Sequence, residues 1–590
     1  MMLCSRVEEA LLISPDRPIV PIPHLPVDKN PVEAMPVEDE PNPWTRRYYG
    51  NPRVQSRWIH DSFTDEGFWF WDYDEGDTLQ IKEGARTSWT HLDDDPFVVG
   101  LRSELLSNAS KSGPSNAAAS HPNYLLLRKW LQDCDHNHIH CHRPENENFW
   151  PKRTIFVGDP NKLTLIEERL QQEDYVVLSH CWGRLTLEEK ERYCTTPENY
   201  RDRLQGLSYD ELPKTFQDAV QVTRALQKQY LWIDALCIIQ GPDGDWDTEA
   251  KTMADIFAGA YCTIAASSAG GWGDGFLKQQ SAPRHIGGQD TLRTPTCTCN
   301  FDREVEEGAL MKRAWVLQER VLSRRIIHFT AAHIFCECGD GVLCEQLIKR
   351  KPPVGKQYFL LDTKFPDRLY HAGFERNVDF VKFLFNKYST SGLSYATDRD
   401  VAIYSLLGRM EKALRTEVRY GIFDCFFGSL LMWKRTDENK TAPISYKDPM
   451  PSWSWMAYPG GIDFVSDTAN IMLPQFEDLS FADDRKALNV NIRQFSESCR
   501  VRSEEEGYSI INGTEEVGFL WFDVADRIEF KHCVVVGMRE DYRRKDPPSR
   551  KTYYVLVVRE KASGGRYERL AAGTVEAQYV SSDGIIRTLW

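Results

Sequence analysis

The chain has 590 residues and a formal net charge of −15. Single cores rarely grow beyond roughly 250–300 residues, so several domains are expected. The acidic balance and the lack of a dense Lys/Arg block argue against nucleic acid or an anionic membrane as the main partner.

The opening MMLCSRVEEALLISP interrupts any signal-like run with Arg6, Glu8 and Glu9. No uncharged apolar run approaches the roughly 18 residues needed to span a bilayer. Fifteen cysteines are scattered rather than arrayed, which fits reduced thiols. A soluble, cytoplasmic protein is expected.

Residues 15–43 are rich in proline with acids between, which predicts an extended segment. Residues 44–107 are rich in Trp and Asp, and 108–120 (NASKSGPSNAAAS) have a linker composition. Tyr124–Cys134 has the pattern of a short amphipathic helix and runs into CDHNHIHCH. There Cys134, His138 and Cys141 offer three ligands for a metal such as zinc, with His136, His140 or His142 as a fourth. The spacing completes no zinc pattern, and the alternative is a thiol and imidazole cluster packed at a helix end.

Tyr175–Ser179 reads as a strand covered on both faces, and His180–Gly183 as the turn at its carboxyl end, where open α/β sheets gather ligands. In LPKTFQDAVQVTRALQKQYLWIDALCIIQ, Phe216, Ala219, Val220, Thr223 and Leu226 recur at helical spacing. Thr215 and Asp218 are spaced as a capping box. Tyr230–Ile239 reads as a buried strand broken by Asp234, whose carboxylate must be paired or face a cleft, because isolated burial costs several kcal/mol.

Asp247–Ala258 predicts a helix, Tyr261–Ser267 a strand, Leu310–Leu322 a helix and RRIIHFT a strand. The short clips CTC at Cys297–Cys299 and CEC at Cys336–Cys338 read as incidental. On the helix Leu310, Ala314, Leu317 and Val321 form the apolar stripe, with Trp315 at its edge and Glu319 just beyond. The alternation predicts a mostly parallel sheet with helices on both faces. Residues 366–435 are helix-rich, and from about Gly518 the chain turns strand-like, predicting a small antiparallel unit.

Four stretches stand in order: YVVLSHCWG, LPKTFQDAVQVTRALQKQYLWIDALCIIQ, DWDTEAKTMADIFAGAYCTIAAS and RAWVLQERVLSRRIIHF. Together they closely resemble the fungal heterokaryon incompatibility (HET) domain family over roughly 175–329. Ala235, Gly241 and Phe257 depart from the residues common there. The expected division is an N-terminal extension (1–120), the HET domain (121–345), a helix-rich region (346–460) and a β-rich unit (461–590).

The resemblance implies fungal self/non-self recognition and regulated cell death. It also implies a distant likeness to TIR domains, some of which cleave NAD, and so a TIR/flavodoxin-like sheet. Trp315-x-x-x-Glu319 resembles the WxxxE of TIR enzymes, which makes Glu319 the catalytic candidate and NAD the substrate. Ser179, His180, Trp182, Gly183, Asp234, Arg313 and Trp315 are the substrate-binding candidates. A carboxylate can stabilise the oxocarbenium character that builds on the ribose as nicotinamide leaves. A Cys181–His180 nucleophile pair lacks a third orienting group. The competing class is a non-catalytic module that assembles with itself or with an incompatibility partner protein.

Overall fold

The computed structural model describes residues 90–91, 95–111, 124–138, 141, 149–167, 173–277, 299–351, 369, 374–437, 441–465, 479–483, 486–525, 528–540, 551–561 and 564–590. The proline-rich stretch 15–43, most of 44–107, Cys297, His140 and His142 lie outside them.

Ten strands form one sheet: β1 Thr90–His91, β2 Thr154–Phe156, β3 Thr164–Ile166, β4 Tyr175–Ser179, β5 Tyr230–Trp232, β6 Cys262–Ala265, β7 Arg325–Phe329, β8 Ile334–Cys338, β9 Gly341–Cys344 and β10 Ile348–Lys351. Their order is β1-β10-β9-β8-β7-β6-β4-β5-β2-β3. The central strands β7, β6, β4 and β5 are mutually parallel. The neighbours on both sides are antiparallel. The expected mostly parallel sheet is therefore confined to its middle, and the sheet as a whole is mixed. Beyond β7 the chain returns through short turns, and a tight connection can join only antiparallel strands.

The helices that matter here are α1 Pro96–Lys111, α2 Tyr124–Asn137, α3 Lys214–Ala225, α4 Met253–Gly259, α5 Ala314–Leu322, α6 Phe374–Ser389 and α7 Val401–Leu414. All five residues of β4 and all five of β7 are buried, as strands covered on both faces must be. One core under the sheet joins Leu127 and Trp130 of α2, Phe216 and Val220 of α3, Val176 of β4 and Ile327 of β7. A second core joins Ala314, Leu317 and Val321 of α5 to α6, α7 and strands of the C-terminal unit.

Several sequence expectations are corrected. The strand expected over Tyr230–Ile239 ends at Trp232, and Asp234 opens a four-residue helix, Asp234–Cys237. Its carboxylate accepts the Ala235 N–H at 2.7 Å and so turns the chain out of the strand. Thr215 and Asp218 form no capping box, since α3 begins after Pro213. Thr215 instead donates to the Gly271 carbonyl, and Asp218 accepts from Phe276 and Leu277 N–H, so both hold the Gly-rich loop GGWGDGF (Gly270–Phe276). The helix expected over Leu310–Leu322 breaks at Arg313, which is extended (φ −95°, ψ 135°) between a 3-10 turn and α5. The linker composition at 108–120 begins inside α1, which continues to Lys111.

The C-terminal strands form a nine-stranded sheet. Leu488–Gln494, His532–Glu540, Lys551–Glu560, Arg566–Glu576 and Ile585–Leu589 close into a ring, because the last pairs with both the first and the fourth. Closure removes sheet edges from those strands. The buried Arg569 fastens this unit to the helix-rich region. It pairs with Asp523 at 2.9 Å, donates to the Leu431 and Trp433 carbonyls and lies over the Trp433 ring. Among the described residues no helix is long and apolar enough to cross a membrane.

Candidate functional site

Parallel strands β4, β5 and β6 deliver their carboxyl ends to one edge of the sheet. There β4 ends in Ser179 and continues as His180, Cys181, Trp182 and Gly183, while β5 ends beside Asp234. From the facing helix α5, Glu319 reaches down onto β4. Ser179 Oγ donates to Glu319 Oε2 at 2.5 Å. The two residues are 3 % and 8 % exposed, so the pair lies beneath the surface.

Burial pushes the Glu319 carboxyl up to about 7, with the charge of Asp234 adding to the rise. The Ser179 hydrogen bond and the Arg313 charge work against that rise without cancelling it. The neighbouring arginines are engaged elsewhere. Arg320 bonds Glu337 and Glu306, and Arg324 bonds the Ala260 and Cys141 carbonyls.

Arg313 owes its position to the break before α5, and its guanidinium donates to the His180 carbonyl. His180 is packed into the core. Trp272 Nε1 donates to its Nε2 at 3.1 Å, and Phe216 meets its ring edge-on. Accepting that bond requires an unprotonated Nε2. Burial pushes the imidazole down to about 4, with Asp234 opposing. His180 is thus a neutral packing group 3.7 Å from Asp234, and burial also pushes the Cys181 thiol up. That chemistry counts against a Cys181–His180 nucleophile pair, because the thiolate is the reactive form.

Asp234 is the more open acid, with its side chain 26 % exposed. It accepts from the Trp182 indole at 2.7 Å. Gly183 adopts φ +77°, and a Cβ there would approach Gly271 Cα to 3.0 Å, so two loops meet where a side chain would separate them. Trp315 is half-buried and packs edge-to-face on Trp246, with ring centroids 6.1 Å apart. The geometry therefore brings Ser179, Glu319, Arg313, Asp234, Trp182 and Gly183 to one edge, with His180 behind them and Trp315 against Trp246. Trp272 is a site residue that the sequence reading missed. Its signal was the aromatic within the Gly-rich GGWGDGF.

Cys134, His138 and Cys141 also come together, but their companion is Cys338 at the end of β8. The ligand atoms of the four lie within 4.8 Å of one another, and all four residues are buried. This corrects two expectations: the CEC clip is not incidental, and His136, the one proposed fourth ligand among the described residues, is exposed and bonds Gln132. A cysteine immediately before the turn CGDG was the available signal.

Residues 175–319 match the family model described as Heterokaryon incompatibility protein (HET). No curated protein matches the chain, and no solved structure does. The matched span opens on β4 and closes on Glu319, so the Ser179–Glu319 bond joins its two ends. The chain is a heterokaryon incompatibility (HET) domain-containing protein.

Proposed function

We propose that this HET protein is an effector of fungal self/non-self recognition and regulated cell death, acting by TIR-like cleavage of NAD at the Glu319 edge. The observation that carries the reading is a buried carboxyl pushed up to about 7 and bonded to the serine at the end of a central parallel strand. In this reaction water replaces nicotinamide at the ribose C1′, giving nicotinamide and ADP-ribose. Ionised Glu319 would stabilise the positive charge that develops on the ribose. Asp234 and Arg313 would hold ribose hydroxyl and phosphate groups, and Trp182 would pack against a planar ring.

The proposal predicts that purified protein consumes NAD, and that Glu319→Gln lowers turnover by about 10²-fold or more. Turnover should climb with pH through about 7, because the ionised form does the work. A second reading, a non-catalytic module that signals by assembling with itself or a partner protein, is favoured by the 8 % exposure of Glu319. Equal and negligible NAD consumption by wild type and Glu319→Gln, with cell killing retained by both on expression, would select that second reading.

A further inference from the structure

We propose that Cys134, His138, Cys141 and Cys338 bind one zinc ion as a closed Cys3His structural site. The donor set is three thiols and one imidazole, the soft and borderline ligands that zinc takes in structural sites. A tetrahedral ion with bonds of about 2.3 Å sets its ligand atoms about 3.7 Å apart. His138 Nδ1 already lies 3.5 Å from Cys338 Sγ, and the widest separation of 4.8 Å closes with sub-ångström shifts. Such spacing suits a single ion rather than a polynuclear iron–sulfur cluster, whose ligands must straddle more than one iron.

The surroundings supply what a metal site needs beyond its ligands. The far nitrogen of His138, Nε2, lies 3.2 Å from carboxylate oxygens of both Asp133 and Asp340. That contact fixes the tautomer with Nδ1 free to ligate, the carboxylate–histidine arrangement that orients metal-bound imidazoles. Asp340 is itself held by Lys349 at 2.5 Å, and Lys349 also binds Asp95. The Asp340 N–H points at Cys338 Sγ at 3.4 Å, a donor toward a developing thiolate. Arg324 bonds the Cys141 carbonyl. Zinc would displace three thiol protons, and the nearby cations Lys349 and Arg324 offset the resulting negative charge.

The position says what such an ion would do. Cys338 pairs with Arg325 at the start of β7, whereas Ser179 lies in register with Ala265 and through it with His328. The metal site therefore sits at the amino ends of the parallel strands and the Glu319 edge at their carboxyl ends. Its ligands come from before and after the matched span 175–319. One ion would tie α2 to β8 and so clasp the two flanks of the HET domain.

The test is metal analysis of the purified full chain, followed by exchange into cobalt(II). About one zinc per chain is expected, and the cobalt form should show tetrahedral visible bands with sulfur-to-cobalt charge transfer from three thiolates. Cys338→Ser should lose zinc at least about tenfold more readily to a chelator, while Cys336→Ser on the same strand should retain it. Should Cys338→Ser fail to fold, the wild-type cobalt spectrum decides. Folded wild type that holds no zinc and gives no thiolate charge transfer with cobalt would overturn the proposal, as would equal zinc loss from both serine variants.

Discussion

Glu319 and Glu337 are two buried acids that meet their burial in opposite ways. Glu337, on β8, has no exposure and is held by Arg320 through two nitrogens, at 2.7 and 3.2 Å, and by His328 at 2.7 Å. Burial pushes its carboxyl up, but Arg320 and His328 outweigh that and hold it below the usual glutamate range. Glu319 is bonded by a neutral hydroxyl, Arg313 acts on it only through its charge, and its carboxyl rises to about 7. An acid locked by a guanidinium is fixed structure, whereas one left near neutrality can change protonation where a cell operates.

Removing one partner of the locked pair should have the largest effect. Glu337→Ala leaves Arg320 buried and short of a counter-charge, and should destabilise the protein by about 3–5 kcal/mol in denaturant unfolding. A loss below about 1 kcal/mol would mean that Glu306, 2.6 Å from Arg320, suffices on its own.

The poised acid predicts a pH effect of the opposite kind. Its folded pKa is raised from 4.5 to about 7, so the folded protein binds the extra proton between those values. Stability must then fall as pH climbs through that window, by roughly 3 kcal/mol at most. Glu319→Gln keeps the shape and cannot ionise, so its advantage over wild type should grow from pH 5 to pH 8. A constant difference across that range would break the contrast with Glu337.

The smallest effect belongs to Ser179→Ala. It removes the bond that partly restrains the Glu319 rise, so the midpoint of the same pH dependence should move upward. The cost at pH 8 should be about 1–2 kcal/mol, read from the unfolding midpoint.

How far these features were legible from sequence depends on the range of the interaction. β4 was read with its correct bounds, because five apolar-rich residues in a row leave few alternatives. The meeting of Ser179 and Glu319 was reachable only through the family likeness, since nothing local ties a strand end to a later helix. Tyr230–Ile239 misled because an apolar run looks alike in a buried strand and in a buried helical turn. Only the Asp234 side chain, bonded to the next N–H, marks the change. Thr215 and Asp218 kept their capping spacing but spent their hydrogen bonds on a loop from another part of the chain. Cys338 was in view, but its place beside CDHNHIHCH was not, because the pairing of β7 with β8 delivers it there.

Helix α5 has a second face with a practical consequence. Besides carrying Glu319, it gives Ala314, Leu317, Val321 and Leu322 to the core shared with α6, α7 and the C-terminal strands. Its backbone is also tied to the later region, through Ala314 N–H to the Gly392 carbonyl at 3.0 Å. Cutting the chain at the end of the family match would remove the last turn of α5 and lay Ala314 and Leu317 bare, at about 1.5–3 kcal/mol for a large aliphatic side chain such as Leu317. The matched span is thus not a portable module. Assays on it in isolation would report on a helix stripped of its support, and Glu319 is fairly judged only with α6, α7 and the C-terminal strands in place.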